Sequence, residues 1–63
     1  MLVRELVKNQ MQALGYNVKT TSYMTGISEV TIYRLLSGRP PTFDTLLALR
    51  DKLGIDLALV TKE

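Results

Sequence analysis

Three features of this chain predict a mainly α fold: four short helices in one domain, followed by a C-terminal β-strand. Apolar residues recur at helical spacing in four separate stretches. Gly15, Gly26, Gly38 and Gly54 close those stretches, while Asn17, Ser28 and Thr42 stand where helices would start. The last segment breaks the pattern, with apolar residues alternating at period two. At 63 residues the chain holds one domain. A domain this small buries only about 60% of the surface its unfolded chain exposes. Its core is marginal, and help from a second copy is expected.

The first helix is predicted over 2–14. Leu2, Val3, Leu6, Val7, Met11 and Leu14 share one side, and Arg4, Glu5, Lys8, Asn9 and Gln12 fill the other. Gly15 is its stop. Asn17 reads as the N-cap of a second, short helix reaching about residue 25. The run Lys19-Thr20-Thr21-Ser22-Tyr23-Met24-Thr25 is poor in helix formers. Packing, and its place before Gly26, must hold it.

The stretch from Gly26 to Gly38 is the most informative. Gly26 can take φ > 0 and turn the chain sharply. Ser28 can accept a backbone N–H and open a helix over 29–37. Glu29 then lies in the first turn, where negative charge suits the helix dipole. Gly38 can close the helix in the left-handed conformation. Ile32, Leu35 and Leu36 fall on one face; Glu29, Val30, Tyr33, Arg34 and Ser37 fall on the other. A short helix pinned at both ends, with a polar face outward, is the reading helix of a helix-turn-helix.

Arg39-Pro40-Pro41 cannot continue that helix. Thr42 can cap a fourth one, with Asp44 in its first turn and an apolar stripe of Phe43, Leu46, Leu47, Leu49 and Leu53. Gly54 ends it. The expected core is Ile27, Ile32, Leu35, Leu36, Phe43, Leu46 and Leu53. In the tail, Ile55, Leu57 and Leu59 alternate with Asp56, Ala58 and Val60. A strand over 55–61 is the preferred reading, and a short fifth helix is its rival, since Leu and Ala are helix formers. A lone strand leaves an unpaired edge. It is expected to pair with its copy across a two-fold axis, with Ile55, Leu57, Leu59 and Val60 as the dimerisation set.

Composition narrows the function. Without Cys or His there is no disulfide framework, no thiolate or imidazole metal site and no Cys–His or Ser–His–Asp nucleophile. No clustered carboxylates offer a catalytic set, so the chain is read as no enzyme, with no metal and no cofactor. No apolar run reaches a membrane span. The start Met1-Leu2-Val3-Arg4-Glu5 does not read as a signal peptide, and a cytoplasmic setting fits. Eight Lys/Arg against six Asp/Glu give a net charge of +2, and the pI of about 9.2 passes the rough threshold for a nucleic-acid footprint. The excess is slight, so its placement carries the argument. Lys8, Lys52 and Lys62 read as solvated.

The order of these segments resembles the Cro/C1-type (lambda repressor-like) helix-turn-helix regulators of bacteria and phages. The resemblance spans roughly residues 17–54. It rests on Gly26-Ile27-Ser28, Thr31-Ile32-Tyr33-Arg34, Leu36-Ser37-Gly38 and Pro41-Thr42-Phe43-Asp44-Thr45-Leu46-Leu47. Within that family the chain is most similar to the short antitoxin-type regulators of toxin–antitoxin operons. It departs from the wider family in having Thr21-Ser22 where Leu-Ala is usual, so looser packing of the second helix is expected. It also has Leu36 where many members have Glu, and Arg50 where a small or apolar residue is common.

The resemblance implies a DNA-binding transcriptional regulator, a homodimeric repressor on palindromic double-stranded DNA, with neutralisation of a cognate toxin as the alternative. It implies base readout by Ser28, Glu29, Val30, Tyr33 and Arg34. Phosphate contacts are expected from Asn17, Lys19, Thr20 and Tyr23 at the second helix, and from Ser37 and Arg39 beyond the third. Plainer readings stand beside these. Glu29 suits a first turn whatever else it does, Tyr23 and Tyr33 could be packing residues, and Arg34 could meet a phosphate instead of a guanine.

Overall fold

In a computed structural model, which describes residues 2–60, α1 (Val3–Leu14) lies against α3 (Glu29–Leu36), and α2 (Val18–Thr25) packs on α3 and on the helical turn Leu49–Leu53. The helical spacing of α1 buries Val7 and Met11. Gly15 ends it as expected, its N–H bonding to the Gln12 carbonyl while Tyr16 N–H reaches the Met11 carbonyl at 2.9 Å. Asn17 caps α2, its Oδ1 accepting the Thr20 N–H at 2.7 Å.

Thr21 and Thr25 of α2 are buried, with their hydroxyls paired along the helix. The Thr21 hydroxyl donates to the Asn17 carbonyl at 2.8 Å and the Thr25 hydroxyl to the Thr21 carbonyl at 2.7 Å. Each hydroxyl is satisfied within its own helix, so burial carries no unpaired-polar penalty. Thr21 is fully buried.

The inner side of α3 contributes Ile32 and Leu35 to a core with Val7, Met11, Ile27, Leu49, Leu53 and Ile55. Burying each such aliphatic side chain contributes about 1.5–3 kcal/mol. The third helix closes at Leu36, one residue before the expected end, and Ser37 is its C-cap.

The fourth helix starts as expected, with Thr42 capping α4 (Phe43–Ala48) by accepting the Thr45 N–H. From Leu49 to Leu53 the chain widens into a π-helical turn before Gly54. Ile55 N–H bonds back to the Leu49 carbonyl, and Gln10 Nε2 of α1 donates to the Leu53 carbonyl at 2.9 Å. Two of the wide turn's carbonyls thus find donors outside it.

Two expectations fail here. Phe43 is not core: it is 71% exposed, and Leu36 and Leu46 are only half-buried. The inward line of this helix runs through Leu49 and Leu53, and at 100° per residue Phe43 lies about 120° around from Leu49. The tail is not a strand either. Among the described residues there is no strand; Leu57–Leu59 form a 3₁₀ turn capped by Asp56, which accepts the Ala58 N–H at 2.9 Å. Asp56 supplies locally a hydrogen bond that a lone strand would lack, and Leu-Ala-Leu accepts the helical alternative. The rival reading was therefore nearer. Ile55 is buried in its own chain's core, Leu57 and Val60 are half-buried, and Leu59 is exposed. Strand pairing through Ile55, Leu57, Leu59 and Val60 thus loses its basis. Thr61 of the expected strand, and Lys62, lie outside the described residues.

Candidate nucleic-acid interface

Gly26, Ile27 and Ser28 join α2 to α3. Gly26 turns the chain at φ 74°, where a side chain would be strained. Ile27 is buried beneath the turn, and its N–H donates to Thr25 Oγ1 at 3.2 Å. Ser28 Oγ accepts the Thr31 N–H at 3.2 Å and donates to Thr31 Oγ1 at 2.8 Å. The angle between α2 and α3 is therefore set by one left-handed glycine, one buried anchor and two hydroxyls.

The far end of α3 is locked as firmly. Gly38 N–H reaches the Leu35 carbonyl, and Arg39 N–H reaches the Arg34 carbonyl at 2.9 Å, with Gly38 at φ 96°. This paired closure fixes where Arg39 leaves the helix. Between the two ends, Glu29, Val30, Tyr33, Arg34 and Ser37 are all exposed, Val30 and Tyr33 at 60%. Val30, Tyr33, Arg34 and Ser37 line a shallow, open depression that Arg39 and Pro40 complete.

The expected contact residues differ in what they have left to offer. Asn17 has spent its carbonyl on the α2 cap, leaving its amide N–H groups without a partner among the described residues. Lys19 and Tyr23 stand exposed on the same helix, Tyr23 at 87%, and Thr20 is half-buried. The backbone N–H groups of Val18 and Lys19, in the first turn of α2, have no intrahelical acceptor. The Ser37 hydroxyl donates to the Arg34 carbonyl at 2.8 Å. Only its lone pairs remain, and those do not suit a phosphate. Ser28, with its proton on Thr31, likewise keeps acceptor capacity alone.

Sequence reasoning missed Arg4, which sits on the outward side of α1. Its side chain crosses to the end of α3, with Nη1 3.3 Å and Cδ 3.7 Å from where a Gly38 Cβ would be. No spacing rule signals a contact between residues so far apart in the chain.

A family model described as helix-turn-helix matches residues 7–60. The chain belongs to this helix-turn-helix family. No curated protein and no solved structure matches it. The family is of the Cro/C1 type and is a DNA-binding one, so this helix-turn-helix protein is a DNA-binding regulator. The match includes most of α1 and extends beyond the π-helical turn, so the whole core that supports α3 belongs to the family fold. Among the described residues of the helix-turn-helix protein, no helix is long and apolar enough to cross a membrane, and no three acidic side chains gather as a metal site.

Proposed function

We propose that this protein is a homodimeric repressor of its own operon, which inserts α3 into the major groove of a palindromic operator. The observation that carries the reading is the outer face of α3. The helix is short, locked at both ends, and presents Glu29, Val30, Tyr33 and Arg34 to solvent while Ile32 and Leu35 are buried on its inner side. A recognition helix of this kind meets base edges with its N-terminal residues.

Each outward residue has a chemical task it can perform. Glu29 accepts from cytosine N4, Val30 meets a thymine methyl, and Arg34 forks onto guanine O6 and N7. Tyr33 reaches a base or phosphate through its hydroxyl, and Ser28 accepts a base N–H with the capacity its cap leaves free. The backbone is held by the free N–H groups at the start of α2, the Asn17 amide, Lys19, the Thr20 and Tyr23 hydroxyls, and Arg39 beyond α3. Ser37, with its proton spent, spaces Arg39 from the helix and is dropped as a phosphate donor. These contacts set register and carry no sequence information. Two copies on half-sites about 34 Å apart place both α3 helices on one face of the duplex.

The test titrates purified protein against a labelled duplex of its own upstream region, beside a scrambled duplex, at several salt concentrations. The expected result is preferred, salt-dependent binding of two protomers to the upstream duplex. That preference should fall by about 1–3 kcal/mol for Tyr33→Ala or Arg34→Ala. Equal, weak binding to both duplexes would overturn the operator reading and favour neutralisation of a partner toxin.

A further inference from the structure

We propose that Arg4 of α1 is a further DNA-backbone anchor, gripping a phosphate beside the end of the recognition helix. The proposal rests on the DNA-binding reading above and adds a contact that the helix-turn-helix segment itself does not contain.

The first ground is placement. The Arg4 stem lies over Gly38, with Cδ and Nη1 close to where a Cβ would stand. A Cβ at Gly38 would stand 3.3 Å from Nη1, a contact the flexible arginine relieves with a small shift, so it is φ 96° that calls for glycine here. The guanidinium lies on the turn itself, its Nη1 nearer to the Gly38 position than Cδ, next to the residue that fixes Arg39. A recognition helix lying in the major groove is flanked by phosphates, so its trailing end approaches the backbone.

The second ground is what Arg4 lacks. Among the described residues it makes no hydrogen bond and no ion pair, although Glu5 follows it directly. Arg50, also exposed, donates Nε to Asp51 at 2.9 Å. A guanidinium has five donors in a planar fork, which suits a phosphate bidentately. The third ground is company. Arg34 occupies the last turn of α3 and Arg39 follows it, while Glu29 lies at the opposite end of the helix. Arg34 and Arg39 line one depression and Arg4 reaches the Gly38 turn, so three arginines belong to the end of α3, whose dipole favours cations. Their mutual repulsion is relieved when a polyanion binds across them.

The experiment measures binding of the full chain, and of its Arg4→Ala and Arg4→Lys variants, to a random-sequence duplex and to the upstream duplex over a range of salt. Thermal unfolding is followed in parallel. Loss of one phosphate contact should lower the slope of log K against log salt by about 0.9 per bound protomer in Arg4→Ala. Affinity should drop about tenfold per protomer at low salt, equally on both duplexes, as for one exposed charge-assisted contact. Arg4→Lys should recover most of the slope, because it keeps the charge. An unchanged slope in a folded Arg4→Ala variant would overturn the proposal and leave Arg4 as a packing residue. So would a loss on only one duplex, or a loss matched by a fall in melting temperature and not recovered by lysine. Wild-type protein that binds neither duplex would instead overturn the DNA-binding reading, and this anchor with it.

Discussion

Thr21 and Thr25 look alike. Both are buried, four residues apart on α2, and both donate a hydroxyl to the carbonyl one turn back. Replacing each by valine should nevertheless give opposite results. In Thr21→Val the hydroxyl disappears, but the Asn17 carbonyl still receives the Thr21 N–H at 2.9 Å. No polar group is orphaned, the shape is kept, and stability should stay within about 0.5 kcal/mol or rise slightly. In Thr25→Val the lost oxygen was also the acceptor of the buried Ile27 N–H. That donor sits in the turn between α2 and α3 with no other partner among the described residues, and leaving it unpaired costs about 1–3 kcal/mol. In a domain of this size each kcal/mol shifts the melting temperature by about 4–8 °C. Thermal and urea unfolding followed by circular dichroism would measure both variants. A Thr21→Val loss equal to that of Thr25→Val, or a neutral Thr25→Val, would refute the assignment of the turn's stability to the Ile27 hydrogen bond.

Other consequences are simpler. Ile32 is fully buried at the centre of α3, so Ile32→Ala should cost about 2–5 kcal/mol. For a chain with a total stability of about 3–9 kcal/mol, a large unfolded fraction should appear by circular dichroism at 37 °C. Phe43→Ser should change stability by no more than about 0.5 kcal/mol in urea titrations, because the ring is already exposed; a loss of several kcal/mol would restore Phe43 to the core. Ser28→Ala should cost about 1 kcal/mol through the lost cap, read as a lower urea midpoint, and an unchanged midpoint would deny Ser28 that role.

The helices were legible because their signals are local. Asn17, Ser28 and Thr42 each accept the N–H three residues on, and such caps follow from the residue type and its neighbours alone. The glycine stops at Gly15, Gly38 and Gly54 were visible for the same reason. The division of α3 into a buried and an exposed side followed from its 3.6-residue period. The tail misled because its alternation is compatible with more than one backbone. Asp56 and the burial of Ile55, a tertiary fact, decided for a turn. Phe43 misled because an apolar residue in a helix's first turn can lie off the inward line, and the line itself was set by Leu49 and Leu53 against the other helices.

The sequence by itself determined the helix-turn-helix, its boundaries to within a residue or two, and the outward face of α3, since caps, left-handed stops and amphipathic period act within a turn or two of chain. Only the tertiary structure decided the rest: that Thr21 and Thr25 of α2 are buried, that the fourth helix widens into a π turn met by Gln10, and that Arg4 crosses to the Gly38 turn. The burial, the Gln10 bond and the Arg4 crossing each depend on which surfaces come together. Local propensity does not encode that choice, which is made where burial of apolar area and pairing of polar groups are satisfied at once.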